Sequence, residues 1–368
     1  MIKFNNLNLQ WQQIKDKALP EVEELFESCQ FILGPQVERF EKAFAQYCSC
    51  KHGVGISNGT DAIKIAAKAL ELTESVQVFM PANTFVATWL AIKEAYPQSN
   101  VVMIDIDKNG QMDTGKLEEA VSKSEGQKLI VAVHMYGCCD NIDDISRIAT
   151  DSDCLILEDA SQAHGSRSKN GTLAGSIGEI SAFSLYPGKN LGAAGDAGII
   201  VTNSEKLATK CKMLRNYGSR EKYIHEEIGY NNRLDTIQAI VLYWKLKNLN
   251  KWNKSRSASA NYVKVMLDNP EIKWMLTDNI NQVYHILPVL LPNQEKRNAF
   301  MKYLSDNNIQ SGIHYPIPIH KMPFYKSKEE SLFITENYSE RIVSLPIHPF
   351  LKDQELATLV QVINKFRG

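Results

Sequence analysis

Short runs that are apolar nearly throughout, not at alternate positions, constrain this chain more than any other feature. Gly53–Ile56, Val76–Met80, Val101–Ile106, Leu129–Val133, Cys154–Leu157, Ile180–Leu185 and Gly198–Val201 are of this kind. A strand with one wet face alternates apolar and polar residues, so unbroken apolar runs predict strands covered on both faces. Helical spacing fills intervals between them, as at Asp61–Leu70 and Thr88–Ala95. Strand alternating with helix predicts an α/β fold around a mostly parallel sheet. Ligands in such sheets sit beyond the carboxyl ends of the strands, so those ends are where chemistry is sought.

Outside this region, Val22–Cys48 carries helical spacing broken at Gly34-Pro35, and a long helix pattern begins over Leu234–Trp252. The composition then changes. Val283–Leu291 predicts a strand, Glu295–Asn307 a helix and Gln354–Phe366 a terminal helix. A chain of 368 residues suits two domains. The expected division is a large domain over 1–252, including the N-terminal helical segment, and a smaller C-terminal α+β domain over 253–368.

Charge and cysteine content exclude several classes. Lys and Arg number 41 against 42 Asp and Glu, a formal net charge of −1, which offers no field for nucleic acid or an acidic membrane. No apolar run reaches the roughly 18 residues of a membrane span. Met1–Asn6 lacks the basic-then-apolar pattern of a secretory leader, so a cytoplasmic location is expected. Seven cysteines, an odd number, without the paired spacing of a zinc site, predict reduced thiols and no metal centre.

Three strand ends carry candidate chemistry. Ser57-Asn58-Gly59-Thr60-Asp61 follows a strand and opens a helix, where free backbone N–H groups and the helix dipole attract an anion. Gly59 allows close approach and Thr60 adds a hydroxyl; a plain N-cap turn is the ordinary alternative. Glu158-Asp159 ends an apolar strand. A buried carboxylate needs a positive or hydrogen-bonding partner, and alternation along the strand sends Asp159 and Glu158 to opposite faces. Ser181–Gly192 runs from a strand into Pro187-Gly188 and presents Lys189. A desolvated lysine loses part of its preference for the charged form and becomes a nucleophile and base. Each element alone has a bland reading, but their joint occurrence in one α/β chain does not.

These stretches, together with Pro81–Thr88, His134–Gly137, Arg215–Gly218, Gly229–Asp235, Tyr315-Pro316 with His320, and Ser344–Pro346, resemble the DegT/StrS-type sugar aminotransferases, pyridoxal 5'-phosphate (PLP) enzymes of fold type I. The resemblance implies that Lys189 binds the cofactor as a Schiff base and that Asp159 pairs with its pyridine nitrogen. Gln162 would contact the ring or its 3-hydroxyl, and Phe85 would stack on it. Gly59, Thr60 and Ser184 would hold the phosphate. Asn231 would reach the same phosphate from the neighbouring subunit, so a homodimer with shared active sites is expected.

Tyr186–Ala193 resembles the branch acting at carbon 3 of dTDP-3-keto-6-deoxyhexoses. That implies L-glutamate as donor and a dTDP-3-amino-3,6-dideoxyhexose product for a bacterial surface glycan such as O-antigen lipopolysaccharide. An aminotransferase acting at carbon 4 is the alternative, as is a non-catalytic binding or regulatory protein on the same fold. Arg220, with Lys222, is a candidate for the nucleotide diphosphate. Tyr186, Tyr315 and His320 are candidates for the sugar, and His134 and His164 are expected to be supporting residues.

Overall fold

A computed structural model describes residues 1–279, 281–325 and 331–368. Two helices, α1 (Leu7–Ser28) and α2 (Pro35–Tyr47), precede β1 (His52–Ile56), α3 (Gly59–Ala69), β2 (Gln77–Pro81), α4 (Val86–Ala95) and β3 (Asn100–Ile104). The alternation continues through α5 (Thr114–Ser122), β4 (Lys128–Val133), α6 (Ile142–Asp151), β5 (Cys154–Asp159), β6 (Ile180–Ser184) and β7 (Gly198–Thr202). Then come α7 (Glu205–Leu214), the short pair β8 (Ser219–Glu221) and β9 (Ile224–His225), and helices α8 (Thr236–Leu246) and α9 (Leu249–Met266). The chain closes with β10 (Lys273–Trp274), β11 (Leu287–Leu290), α10 (Gln294–Asp306), α11 (Phe333–Arg341), β12 (Ile342–Leu345) and α12 (Asp353–Lys365).

The principal sheet has the order β1-β7-β6-β5-β4-β2-β3. Only β7 runs against its neighbours; the other pairings are parallel. This is the mostly parallel α/β sheet expected from the apolar runs, and its two-sided burial is visible residue by residue. In β4, Leu129, Val131 and Val133 enter one apolar cluster, while Ile130 and Ala132 enter another on the opposite face. A smaller antiparallel sheet, β10-β11-β12, follows. Its Leu287, Val289 and Leu345 join the first cluster, so the two sheets share a core.

Three elements differ from their sequence patterns. Helix α1 begins at Leu7, well before Val22, because its buried stripe is Gln10, Ile14, Ala18 and Leu25, half of it polar or small. The pattern over Leu234–Trp252 is two helices, parted at Lys247-Asn248. Helix α9 crosses residues 252 and 253, where the two-domain reading divides the chain, and the second sheet lies wholly beyond that point. The strand expected over Val283–Leu291 shrinks to Leu287–Leu290, because Val283 and His285 give their backbone N–H groups to Gly137 and Tyr136 in the turn after β4.

Candidate active site

The turn between β1 and α3 is built by Asn58. Its extended backbone ends the strand, and its side chain accepts a hydrogen bond from Asp61 N at 2.8 Å. The Asp61 carboxylate anchors the turn through Ser57 Oγ (2.9 Å), Asn58 Nδ2 (2.7 Å), Lys64 Nζ (2.6 Å) and Asn232. Asn58 caps the Asp61 N–H, which leaves the N–H groups of Gly59 and Thr60 at the helix start open to an anion. Ser184, at the end of β6, packs directly over Gly59. A Cβ at position 59 would lie 2.5 Å from that of Ser184, so the approach requires glycine.

Adjacent carboxylates at the end of β5 have opposite surroundings. Glu158 is fully buried and accepts from Gly175 N (2.7 Å), Ile177 N (2.8 Å), Gly178 N (2.8 Å) and Ser181 Oγ (3.1 Å), and contacts His134 Nε2 at 2.7 Å. Burial pushes its pKa up, but His134 and the ring of N–H donors outweigh burial and hold it below the ordinary carboxylate range. Asp159 points the other way, into a cavity. Its Oδ2 accepts from Thr88 Oγ1 at 2.8 Å, its Oδ1 from Ser161 N at 3.2 Å, and the Thr88 hydroxyl lies 2.8 Å from that of Thr84.

The lysine turn closes on itself. Lys189 N donates to Tyr186 O and Ala193 N to Leu185 O, both at 2.8 Å. A Cβ on Gly192 would lie 2.3 Å from the Pro187 carbonyl oxygen. Asn190 is buried and fixes the turn from behind. Its Nδ2 donates to Asn253 Oδ1 (3.0 Å) and Val283 O (2.9 Å), and its Oδ1 meets His285 Nδ1 (3.2 Å). Desolvation lowers the Lys189 pKa to about 8, against the opposing pull of Asp159. His164 and His314 are lowered to about 3 and about 4 by burial and then by Lys189, and His285 falls well below its ordinary value for the same reasons. At neutral pH these imidazoles are uncharged.

The turn, the carboxylate and the amine face one cavity of about 910 Å³, a size typical of small-molecule sites. Gly59, Thr60, Phe85, Asp159, Gln162, Ser184, Tyr186, Lys189 and Tyr315 all line it. Phe85 is 51 % exposed, with its ring 5.3 Å from that of Tyr315. Gln162 is held by Tyr136 N at 2.7 Å and reaches the Tyr315 hydroxyl at 3.4 Å. Three candidates lie outside. Arg220 sits in a separate depression with Glu71 and Lys210, where its Nε lies 3.6 Å from Glu226. His320 is buried against Glu336 Oε1 at 3.0 Å. Asn231 is exposed after the β8–β9 hairpin and pairs through its backbone with Asn216.

Residues without a role in the sequence reading complete the wall: Thr84 and Thr88 beside Asp159, and Phe4, Asn5, His285 and His314 from distant segments. For the threonines, the four-residue spacing at a helix start, Thr84 and Thr88, was the available signal. The others carry none, since only tertiary contact brings them here.

The chemistry of this donor set fits a phosphorylated pyridine aldehyde. Open N–H groups beside Gly59 suit a phosphate, the inward-facing Asp159 suits a protonated ring nitrogen, and the desolvated Lys189 amine suits an aldehyde carbon. The sequence pattern of the DegT/DnrJ/EryC1/StrS aminotransferase family matches residues 12–364. The chain is 34% identical over 370 residues to a dTDP-3-amino-3,4,6-trideoxy-alpha-D-glucose transaminase of Streptomyces venezuelae, covering 99% of this chain and 96% of that one. It is 37% identical over 367 residues to a dTDP-3-amino-3,6-dideoxy-alpha-D-galactopyranose transaminase of Aneurinibacillus thermoaerophilus, covering 99% and 98%. The crystal structure of S. venezuelae DesV in complex with a ketimine intermediate superposes with a TM-score of 0.92 at 33% identity, over 99% of this chain and 98% of that one. The chain belongs to the DegT/DnrJ/EryC1/StrS aminotransferase family and is a PLP-dependent aminotransferase.

Proposed function

We propose that this aminotransferase moves the amino group of L-glutamate onto carbon 3 of a dTDP-linked 3-keto-6-deoxyhexose. The product is a dTDP-3-amino-3,6-dideoxyhexose for a bacterial surface glycan. The observation that carries the reading is the convergence of a desolvated lysine, an inward carboxylate and an open helix N-terminus on one cavity. The choice of sugar is supported by the two relatives, both dTDP-3-aminosugar transaminases.

When bound, the cofactor supplies an electron sink for the carbanion left by loss of a substrate proton. Gly59, Thr60 and Ser184 would hold its phosphate. Asp159, oriented by Thr88 and Ser161, would stabilise positive charge at the ring nitrogen. Phe85 would cover a ring face, and Gln162, fixed by Tyr136, would meet the ring's polar edge. Lys189, its pKa lowered to about 8 by desolvation, would be the residue that holds the cofactor's aldehyde carbon, and its amine would carry a substrate proton as base and then acid. Tyr186 and Tyr315 meet the sugar.

A homodimer with shared sites is part of the reading. Its support is a series of large apolar side chains in water: Phe26 (60 %), Ile32 (54 %), Tyr223 (82 %) and Ile228 (90 %). Tyr223 lies in the turn of the β8–β9 hairpin and Ile228 follows it, on the way to Asn231. Among the described residues no helix is long and apolar enough to cross a membrane.

Incubation with L-glutamate and dTDP-ketosugars, followed by NMR of the product, tests the proposal. A 3-amino product with parallel initial-rate lines is expected. A 4-amino product, or converging lines, defeats it.

A further inference from the structure

Both substrates of the proposed reaction share one cavity, yet they differ greatly in size. An amino-acid donor reaches only the floor around Lys189 and Asp159. A nucleotide sugar must also run outward past the mouth, so residues at the mouth distinguish the two. Phe4, Asn5 and Leu7 line the cavity; Phe4 and Asn5 come from the segment that precedes α1, and Leu7 is the first residue of that helix.

This segment is a strap pinned on one side. Ile2 N donates to Asn308 O (2.8 Å), Gln310 N to Ile2 O (3.0 Å), and Phe4 N to Gln310 Oε1 (2.8 Å). Ile2 is buried in the main core. The Phe4 ring stacks on His314 with centroids 5.8 Å apart and planes 19° apart. His314 is itself held by Ser344 Oγ at 2.8 Å. On the other side Asn5 Nδ2 donates at 3.3 Å to the carbonyl of Gly188, the residue before Lys189. The strap thus links the lysine turn to the 308–314 segment that follows α10, beside the cavity, with a half-buried aromatic ring at its centre.

We propose that the 2–7 strap is a specificity-determining wall for the sugar half of the nucleotide sugar. Phe4 is the contact residue and Asn5 the tie that holds the strap to the lysine turn. The proposal rests on the transamination reading and adds to it which residues recognise the second substrate but not the first. An aromatic face packed on a rigid neighbour gives the C–H faces of a pyranose, and its deoxygenated carbon, an apolar surface with little conformational entropy to lose.

The test separates the half-reactions in the holoenzyme by stopped-flow absorbance of the cofactor, for wild type, Phe4→Ala, Phe4→Tyr and Asn5→Ala. For Phe4→Ala, loss of one apolar contact raises KM for the dTDP-ketosugar about tenfold and weakens equilibrium binding of the aminosugar product by a similar factor. The glutamate half-reaction and the affinity for dTDP alone stay within about twofold, and Phe4→Tyr restores wild-type behaviour. Asn5→Ala shifts the sugar half-reaction in the same direction by a smaller factor. Equal losses in both half-reactions, or none in the sugar half-reaction, overturn the assignment of the strap. A wild-type protein that fails the glutamate half-reaction overturns the transamination reading itself, and the strap's role with it.

Discussion

Glu158 and Asp159 are neighbours on one strand, yet they belong to two different regions. On the Glu158 side, N–H groups from 175–178, the Ser181 hydroxyl and His134 surround the carboxylate, and its acceptor sites are filled by the protein. On the Asp159 side two donors fix the group, and the rest of it faces the cavity. A closed ring of partners marks a carboxylate that holds loops together; a carboxylate fixed but left incomplete is poised for a ligand. The 159 side is also where the lysine amine is desolvated and the nearby imidazoles are uncharged.

The contrast is open to experiment. Lys189→Ala removes the amine on which the cavity converges. It should abolish turnover and the cofactor's covalent absorbance, a loss of at least about 10²–10⁴ in rate, with an unchanged circular dichroism spectrum. Next come the two carboxylates. Asp159→Asn should lower kcat by about a hundredfold at nearly constant Tm. Glu158→Gln should destabilise the fold by about 3–5 kcal/mol in urea titration, as for loss of one partner of a buried pair, while the folded fraction keeps its kcat. If the two variants exchange phenotypes, the distinction between the regions fails.

A smaller effect follows from the lysine's pKa. Only the neutral amine attacks an aldehyde, and the ammonium form dominates below about 8. Capture of pyridoxal phosphate by the apoprotein, followed by absorbance, should therefore slow about tenfold per pH unit below that value and level off above it. An inflection near the ordinary 10.5 would mean that the turn is solvated. Thr88→Val is the mildest change. It deletes one hydrogen bond to a charged group, so kcat should fall about tenfold with little change in KM.

Much of this was legible from the chain. The apolar runs located β1 to β7, because two-sided burial leaves no polar positions to confuse the pattern. Strand alternation alone separates Asp159 from Glu158. Gly59 and Lys189 stood at strand ends, where the fold class predicts ligands. The illegible part depends on distant segments. Phe4 and His314 meet across more than three hundred positions, and no local pattern pairs them. Helix α1 hid its first turns because Gln10 and Ala18 occupy its buried stripe. Arg220, after Tyr217-Gly218, and His320, beside Tyr315-Pro316, suggested substrate contacts by charge and by their place in stretches resembling the family. The structure gives each a nearby acid, Glu226 and Glu336 respectively, and places both outside the cavity, a pairing that residue type does not reveal.

The Asn190 knot has a mechanical consequence. One side chain joins the residue after the reactive amine to helix α9 and to the strand approach at 283–285. Any rocking of the C-terminal sheet therefore pulls on the same pivot that aims the amine. In the proposed mechanism, where that amine carries the proton, the position of the C-terminal sheet and the aim of the proton carrier are two ends of a single lever.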